Sequence, residues 1–259
     1  MRLTGKVIVV TGGANGIGRA LVERFHKEKP AGIVVADIDD EAGKQVAAAV
    51  GGLFVRTNVR EEREIQQLVD ETRDAFGRVD VFCSNAGVFG FGGPDAPDEV
   101  WQLSWEVNFN PHVYAARAVL PEMLERGEGY LLQTVSSAGL LSNPGAAPYT
   151  VTKHAALGFA EWLSITYHER GIRVSAICPE IVRTNLFAGS DAMKDAMLAI
   201  GEPMEPEQVA EFVIEGMDQE RFLILPHPDV GEYFRRKGDD HERWLRGMRR
   251  LNARVMGTS

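Results

Sequence analysis

Strand-length apolar runs alternate with helical patterns along most of the chain, and this alternation restricts the fold more than any other feature. The runs are Lys6–Val10, Ile33–Ala36, Leu53–Thr57, Val79–Ser84, Tyr130–Val135, Arg173–Cys178 and Arg221–Leu225. They are short, rich in branched side chains and do not alternate apolar with polar, as expected of parallel strands covered on both faces. Between them the spacing predicts helices over Gly16–Lys29, Glu41–Val50, Glu61–Phe76, Leu103–Arg126 with a bend near Pro111, a helix entered at Pro148, and Glu207–Met217. Regular β-α-β-α order gives an α/β fold, a doubly wound parallel sheet with right-handed crossovers. No linker, repeat or low-complexity tract divides the 259 residues, so one domain spans 1–259. Sheets of this kind bind ligands at the carboxyl ends of their strands, so chemically informative residues should follow the runs.

They do. Thr11–Gly18 follows the first run, with Gly12, Gly16 and Gly18 spaced G-x3-G-x-G. Glycines permit a tight turn and close backbone approach, and the helix that follows points its positive N-terminus at a pyrophosphate. Asn15 and Ile17 belong to the same loop. Asp37 follows the second run, nineteen residues past Gly18. A carboxylate there accepts from ribose hydroxyls and repels a 2′-phosphate. Ile38 supplies no cation beside it, and neither does Asn15, so the set favours NAD over NADP. Asp37 could alternatively cap the next helix, as could Asp39. Asn58 and Val59 follow the third run and suit an adenine edge and face, while Asn85-Ala86-Gly87 follow the fourth and let a cofactor pass. Ser136-Ser137-Ala138-Gly139 follow the fifth, and Pro179–Thr184, with Glu180 and Val182, follow the sixth.

Tyr149 and Lys153 lie four residues apart behind Pro148. Proline suits the first helical position, and i,i+4 side chains share a face. A fixed ammonium beside a phenol favours the phenolate and lowers its pKa from ~10. Such a phenol can exchange a proton with an alcohol or a carbonyl.

Composition restricts the partners. A net charge of −9, from 28 basic and 37 acidic residues, argues against nucleic acid. Cys83 and Cys178 form neither a disulfide framework nor a metal spacing, and the histidines are scattered, so no metal is expected. No run approaches the ~20 apolar residues of a membrane span, and the N-terminus has no signal-peptide pattern. The expected setting is cytoplasmic.

Taken together, Thr11–Gly18, Asp37, Asn85-Ala86-Gly87, Asn108, Ser136, Tyr149-x3-Lys153 and Pro179–Thr184 resemble the classical short-chain dehydrogenase/reductase family over about residues 5–185. The resemblance implies a Rossmann fold, NAD, and a homodimer or homotetramer. It implies that Tyr149 is the acid/base, that Lys153 holds the nicotinamide ribose and depresses the Tyr149 pKa, and that Ser136 binds the substrate oxygen. Asn108 would help hold a water in a proton relay from Lys153. Ser136 is preferred to Ser137 because it stands thirteen residues before Tyr149 and in S-x-x-G relation to Gly139. The chain departs from the family pattern at Asn58, at Ser84 and at Glu180, where the family usually has Asp, Asn and Gly.

The reaction read from these residues is hydride transfer between NAD and a secondary alcohol or ketone. Pocket walls are expected from Phe89, Phe91, Leu140, Asn143 and Leu186, mainly apolar, with Glu180 a carboxylate near the nicotinamide end. The substrate should therefore be hydrophobic or ring-containing. Residues about 185–205 should form a substrate lid. Residues about 229–259 form a helical extension, with Trp244, Leu245, Met248 and Leu251 at helical spacing among arginines. That extension either docks on its own domain or a second subunit, or serves as a lid or a cationic contact for an acidic substrate. A non-catalytic NAD-binding regulatory or interaction protein is the alternative on the same fold, although such a protein could dispense with Ser136, Tyr149 or Lys153.

Overall fold

The structure, a computed structural model, describes residues 1–187 and 202–255. Seven strands form one parallel sheet in the order β3-β2-β1-β4-β5-β6-β7. They are β1 Val7–Thr11, β2 Gly32–Asp37, β3 Leu53–Arg56, β4 Val81–Ser84, β5 Gly129–Thr134, β6 Ile172–Ile177 and β7 Leu223–Ile224. β1 pairs with β2 on one side (Val9 opposite Val34) and with β4 on the other (Val9 opposite Phe82). The order therefore reverses between β1 and β4, and a crevice opens there at the carboxyl ends of the strands.

Among the described residues the helices are α1 Gly16–His26, α2 Asp40–Ala49, α3 Glu62–Phe76, α4 Asp98–Asn108, α5 Asn110–Arg126, α6 Ser137–Leu140, α7 Ala147–Tyr167, α8 Pro206–Asp218, α9 Pro228–Asp239 and α10 His241–Val255. Strand residues point alternately to two cores. Val9, Val34, Ala36 and Leu131 pack with Ile65, Leu68, Val119, Ala156 and Leu163 of α3, α5 and α7. Ile8, Val10, Val35 and Leu132 pack with Leu21, Phe25, Val46, Val209 and Val213 of α1, α2 and α8. Each such apolar side chain contributes ~1.5–3 kcal/mol by leaving water. A sheet covered on both faces explains why the strands read as unbroken apolar runs. No described helix is long and apolar enough to cross a membrane.

Two predicted helices are each divided in two. The one expected over Leu103–Arg126 breaks at Phe109 (φ −126°, ψ −57°), and Pro111 opens the second half. The extension is two helices separated by Asp240 (φ −150°, ψ 88°), whose carboxylate accepts from the Arg243 N–H at 2.9 Å. That side-chain oxygen takes over one of the N–H groups that a new helix leaves unpaired. Most of the lid expected at 185–205 lies outside the described residues; Asn185–Phe187 form a single 3-10 turn.

Candidate active site

The crevice is built from the loop after β1. Thr11 Oγ1 accepts from Asn85 N at 3.0 Å and Ala86 N at 3.3 Å, and donates to the Cys83 carbonyl at 3.2 Å. The Asn85 amide donates to the Thr11 carbonyl at 3.1 Å and accepts from Thr134 Oγ1 at 3.0 Å. The ends of β1, β4 and β5 are thereby tied into one rim. Gly12 has φ +64°, and a Cβ there would stand 2.9 Å from Ala86 Cα. Gly16 has φ +52°, and its Cβ would meet Thr184 at 3.0 Å. The backbone lies closer to its neighbours than a side chain permits. Asn15 precedes α1 without capping it by its side chain, which leaves first-turn N–H groups open to an anion.

Asp37 is not the cap of α2; Asp39 is, accepting from Ala42 N at 3.1 Å. Asp37 instead accepts from Ala14 N at 3.0 Å and Asp39 N at 3.1 Å, so its carboxylate braces the glycine loop. Ile38 beside it is 62 % exposed. A groove of about 800 Å³ runs from these residues past Asn58, Val59 and Asn85-Ala86-Gly87 to Tyr149, Lys153, Pro179, Val182 and Thr184. Every predicted cofactor position except Gly18 lines it; Gly18 is buried beneath the loop. Open N–H groups at one place, a carboxylate at the β2 end and a buried ammonium at another fit a dinucleotide. Arg56, Thr57, Arg60 and Glu64 also line the groove, and no motif in the sequence marks them. Arg60 is paired with Glu106.

Tyr149 and Lys153 lie on α7, both almost fully buried. Ser136 lines the groove beside Tyr149, and its hydroxyl donates to the Pro179 carbonyl at 3.5 Å. It also accepts from Ala138 N at 3.1 Å, which opens α6. Ser136 has φ 151°, unusual for a residue with a side chain. Lys153 Nζ donates to the Thr134 carbonyl at 2.9 Å and stands 5.7 Å from the Tyr149 ring centroid. One expectation is reversed here. Burial holds the Tyr149 phenol above its ordinary pKa, against the smaller opposing effect of Ser136. Burial likewise brings Lys153 down to about 8. Desolvation is the largest influence on both groups and decides the direction of each.

Asn108 is fully buried and lines neither the groove nor the adjoining cavity. Its side chain exchanges two hydrogen bonds with the Val88 backbone, each 2.9 Å, and so pins the loop after β4. His112, which the sequence reading missed, is buried in the first turn of α5, four residues past Asn108, and its Nδ1 meets no hydrogen-bond partner among the described residues. Burial, with the Lys153 charge nearby, depresses its pKa to about 3, so it is neutral.

A second cavity, about 1110 Å³, meets the groove at Ser136, Tyr149 and Glu180. Phe89 and Asn143 line it as expected, the Phe89 ring 4.7 Å from that of Tyr149. Three predicted wall residues do not. Phe91 is 51 % exposed and outside both spaces, because the loop turns out at Gly92 (φ +114°). Leu140 is in the core, because α6 turns it inward and leaves Leu141 on the cavity. Leu186 lines the groove instead. Glu180 lines both spaces; its carboxyl is pushed up by burial and by Asp229. The wall facing these residues comes from α9 and α10.

The arrangement places a phenol, a hydroxyl and a buried ammonium where a dinucleotide groove meets a large cavity. Residues 6–195 match the short chain dehydrogenase family. The chain is 35 % identical over 249 residues to 1-deoxy-11-beta-hydroxypentalenate dehydrogenase of Streptomyces exfoliatus, covering 93 % of this chain and 90 % of that one. It is 35 % identical over 195 residues to 3beta-hydroxysteroid dehydrogenase 2 of Eggerthella lenta, covering 72 % and 75 %. A short chain dehydrogenase/reductase from Burkholderia phymatum, crystallised in complex with NAD, superposes with a TM-score of 0.85 at 28 % identity over 93 % of this chain and 96 % of that one. By sequence and by fold, the chain belongs to the short chain dehydrogenase family.

Proposed function

We propose that the protein transfers a hydride between NAD and a hydrophobic or ring-containing secondary alcohol or ketone, with Tyr149 as acid/base. The observation that carries this reading is the meeting of groove and cavity at Ser136 and Tyr149. When bound, NAD supplies the hydride acceptor at its nicotinamide carbon. The chain's own residues handle the proton and the oxygen. Ser136 donates toward the substrate oxygen and steadies the negative charge that gathers there. Tyr149, held protonated by burial, returns a proton to a carbonyl at neutral pH and takes one from an alcohol as pH rises. Lys153 would hold the nicotinamide ribose. Asn108 would support the proton route through Lys153 by fixing the loop after β4, and Val182 and Thr184 would hold the nicotinamide end. The named relatives suit this substrate class, since one acts on a hydroxysteroid and another on a hydroxypentalenate. An NAD-reduction screen over steroid, cyclic, aryl and acyl-type secondary alcohols tests it. Reduced cofactor from at least one class is expected; NAD binding with no turnover across the panel would favour the non-catalytic alternative.

The coenzyme is NAD rather than NADP because Asp37 offers a carboxylate, and Ile38 no cation, at the groove. Asp37→Ala removes both the ribose acceptor and the charge that repels a 2′-phosphate. It should cut the preference for NAD by about tenfold or more, the effect of ~1.4 kcal/mol. Steady-state kinetics with both coenzymes measures it, and an unchanged ratio would remove Asp37 from this role.

The working unit is a homodimer or homotetramer. Ile165 is 82 % exposed and Trp162 52 % exposed on α7, and Trp162 stacks on Phe159 at 6.3 Å. An apolar face of this kind on a described surface suits a second copy. Light scattering on the eluted protein should give a mass of two or four chains, and that of one chain would refute the assembly. A cytoplasmic setting accords with two buried, unpaired cysteines.

A further inference from the structure

The wall that α10 gives to the large cavity carries two parallel stripes. Trp244, Met248 and Leu251 form one and Arg243, Arg250 and Arg254 the other, and both line the cavity that contains Ser136 and Tyr149. Their spacing of three and four residues keeps each stripe on one side of the helix. Gly247 stands within the arginine stripe and adds no bulk there. The helix is held in place from α9, where Lys237 Nζ donates to the Leu140 carbonyl at 2.7 Å and lies 4.9 Å from the Trp244 ring centroid.

The arginines of the two helices differ in one respect. Arg235 is neutralised by Glu232 and Asp239, and Arg236 by Glu232. Arg243, Arg250 and Arg254 form no ion pair among the described residues. The carboxylate of Asp240 is engaged on the Arg243 backbone N–H. Uncompensated cations are a poor solubility device in a chain of net charge −9. Beside an apolar stripe, and across a cavity from an acid/base, they suit a ligand with a hydrophobic body and an anionic group. Guanidinium is well shaped for this, since it binds carboxylate or phosphate through two parallel N–H donors. A cavity of about 1110 Å³ also exceeds what a very small alcohol would need.

We propose that the substrate is an amphipathic anion: an alcohol or ketone whose apolar body lies along Trp244, Met248 and Leu251 and whose carboxylate or phosphate is held by Arg243, Arg250 and Arg254. This rests on the hydride-transfer reading above and narrows its substrate class. The probes are acids hydroxylated at the penultimate carbon, in increasing chain length, each with its methyl ester and its coenzyme A thioester. At the length that bridges Tyr149 and the arginines, a charged member should exceed the ester in kcat/KM by about tenfold, and the ratio should fall to within about twofold in the triple variant Arg243→Gln/Arg250→Gln/Arg254→Gln. Preference for the acid assigns the anion as carboxylate; preference for the thioester assigns it as phosphate. Equal use of charged and neutral members, or a preference that survives the triple variant, overturns the proposal. Titration calorimetry with the same acids, esters and thioesters gives a readout that does not need turnover. If no probe is oxidised, the hydride-transfer reading fails for this class. The anion site then stands on tighter, arginine-dependent binding of the acid or the thioester, and falls if both bind no better than the ester.

Discussion

Tyr149→Phe should lower turnover by about 10²–10⁴-fold or more while NAD still binds, because it deletes one oxygen and little else. Tyr149 and Ser136 both line the junction of groove and cavity. The ring itself packs against Phe89 at 4.7 Å, and phenylalanine keeps that contact. The fold should therefore be intact, which a melting curve within a few degrees of the parent would show. Single-turnover kinetics with saturating NAD separates the chemical step from binding. Near-normal turnover in this variant would falsify the acid/base assignment.

Gly18→Ala should be the most damaging single methyl in the glycine loop. A Cβ on Gly18 would stand 2.0 Å from the Gly12 carbonyl oxygen and 2.6 Å from Asn85 Nδ2. Neither can yield cheaply: the first is backbone, and the second is fixed by donating to the Thr11 carbonyl. The loop must lift away from β4, at a cost of ~1–3 kcal/mol in overpacking. For a chain of this size each kcal/mol lowers Tm by roughly 2–4 °C. Cofactor affinity should fall further than stability, since the displaced atoms are those that shape the groove. Gly238→Ala on α9 is the matched control, because a Cβ there meets nothing within 4 Å. Calorimetric NAD titration and thermal melting of both variants check this; a Gly18→Ala protein that melts and binds like the control would contradict the described loop.

Much of this was legible in the sequence for a physical reason. Parallel strands buried on both faces cannot alternate, so each shows as an apolar run, and sheet geometry places the ligand at their carboxyl ends. The seven runs correspond to β1–β7 with ends displaced by no more than two residues. The groove positions from Gly12 to Thr184 followed from that rule and from the resemblance, and the structure gathers all but Gly18 on one surface. The misses have a different origin. Phe91 and Leu140 were assigned by nearness in sequence to the site, but one positive-φ glycine turns Phe91 outward and one short helix turns Leu140 inward. The break at Phe109 answers the bend expected near Pro111, whereas helix periodicity runs unbroken across Asp240, so only backbone angles reveal that second break. The Tyr149 pKa was expected from one charge pair, yet desolvation, which depends on everything packed around the phenol, decides its direction. His112 carries no motif; its position against Asn108 becomes visible only once α4 and α5 meet.

The central claim, hydride transfer from a carbinol carbon at Tyr149, is tested most directly by isotope tracing. An alcohol that scores in the NAD-reduction screen, deuterated at its carbinol carbon, is incubated with the protein and NAD, and the reduced cofactor is weighed by mass spectrometry. One deuterium in the nicotinamide ring, and almost none with Tyr149→Phe, is the predicted result. Reduced cofactor without label, or equal label with and without the Tyr149 hydroxyl, would contradict it.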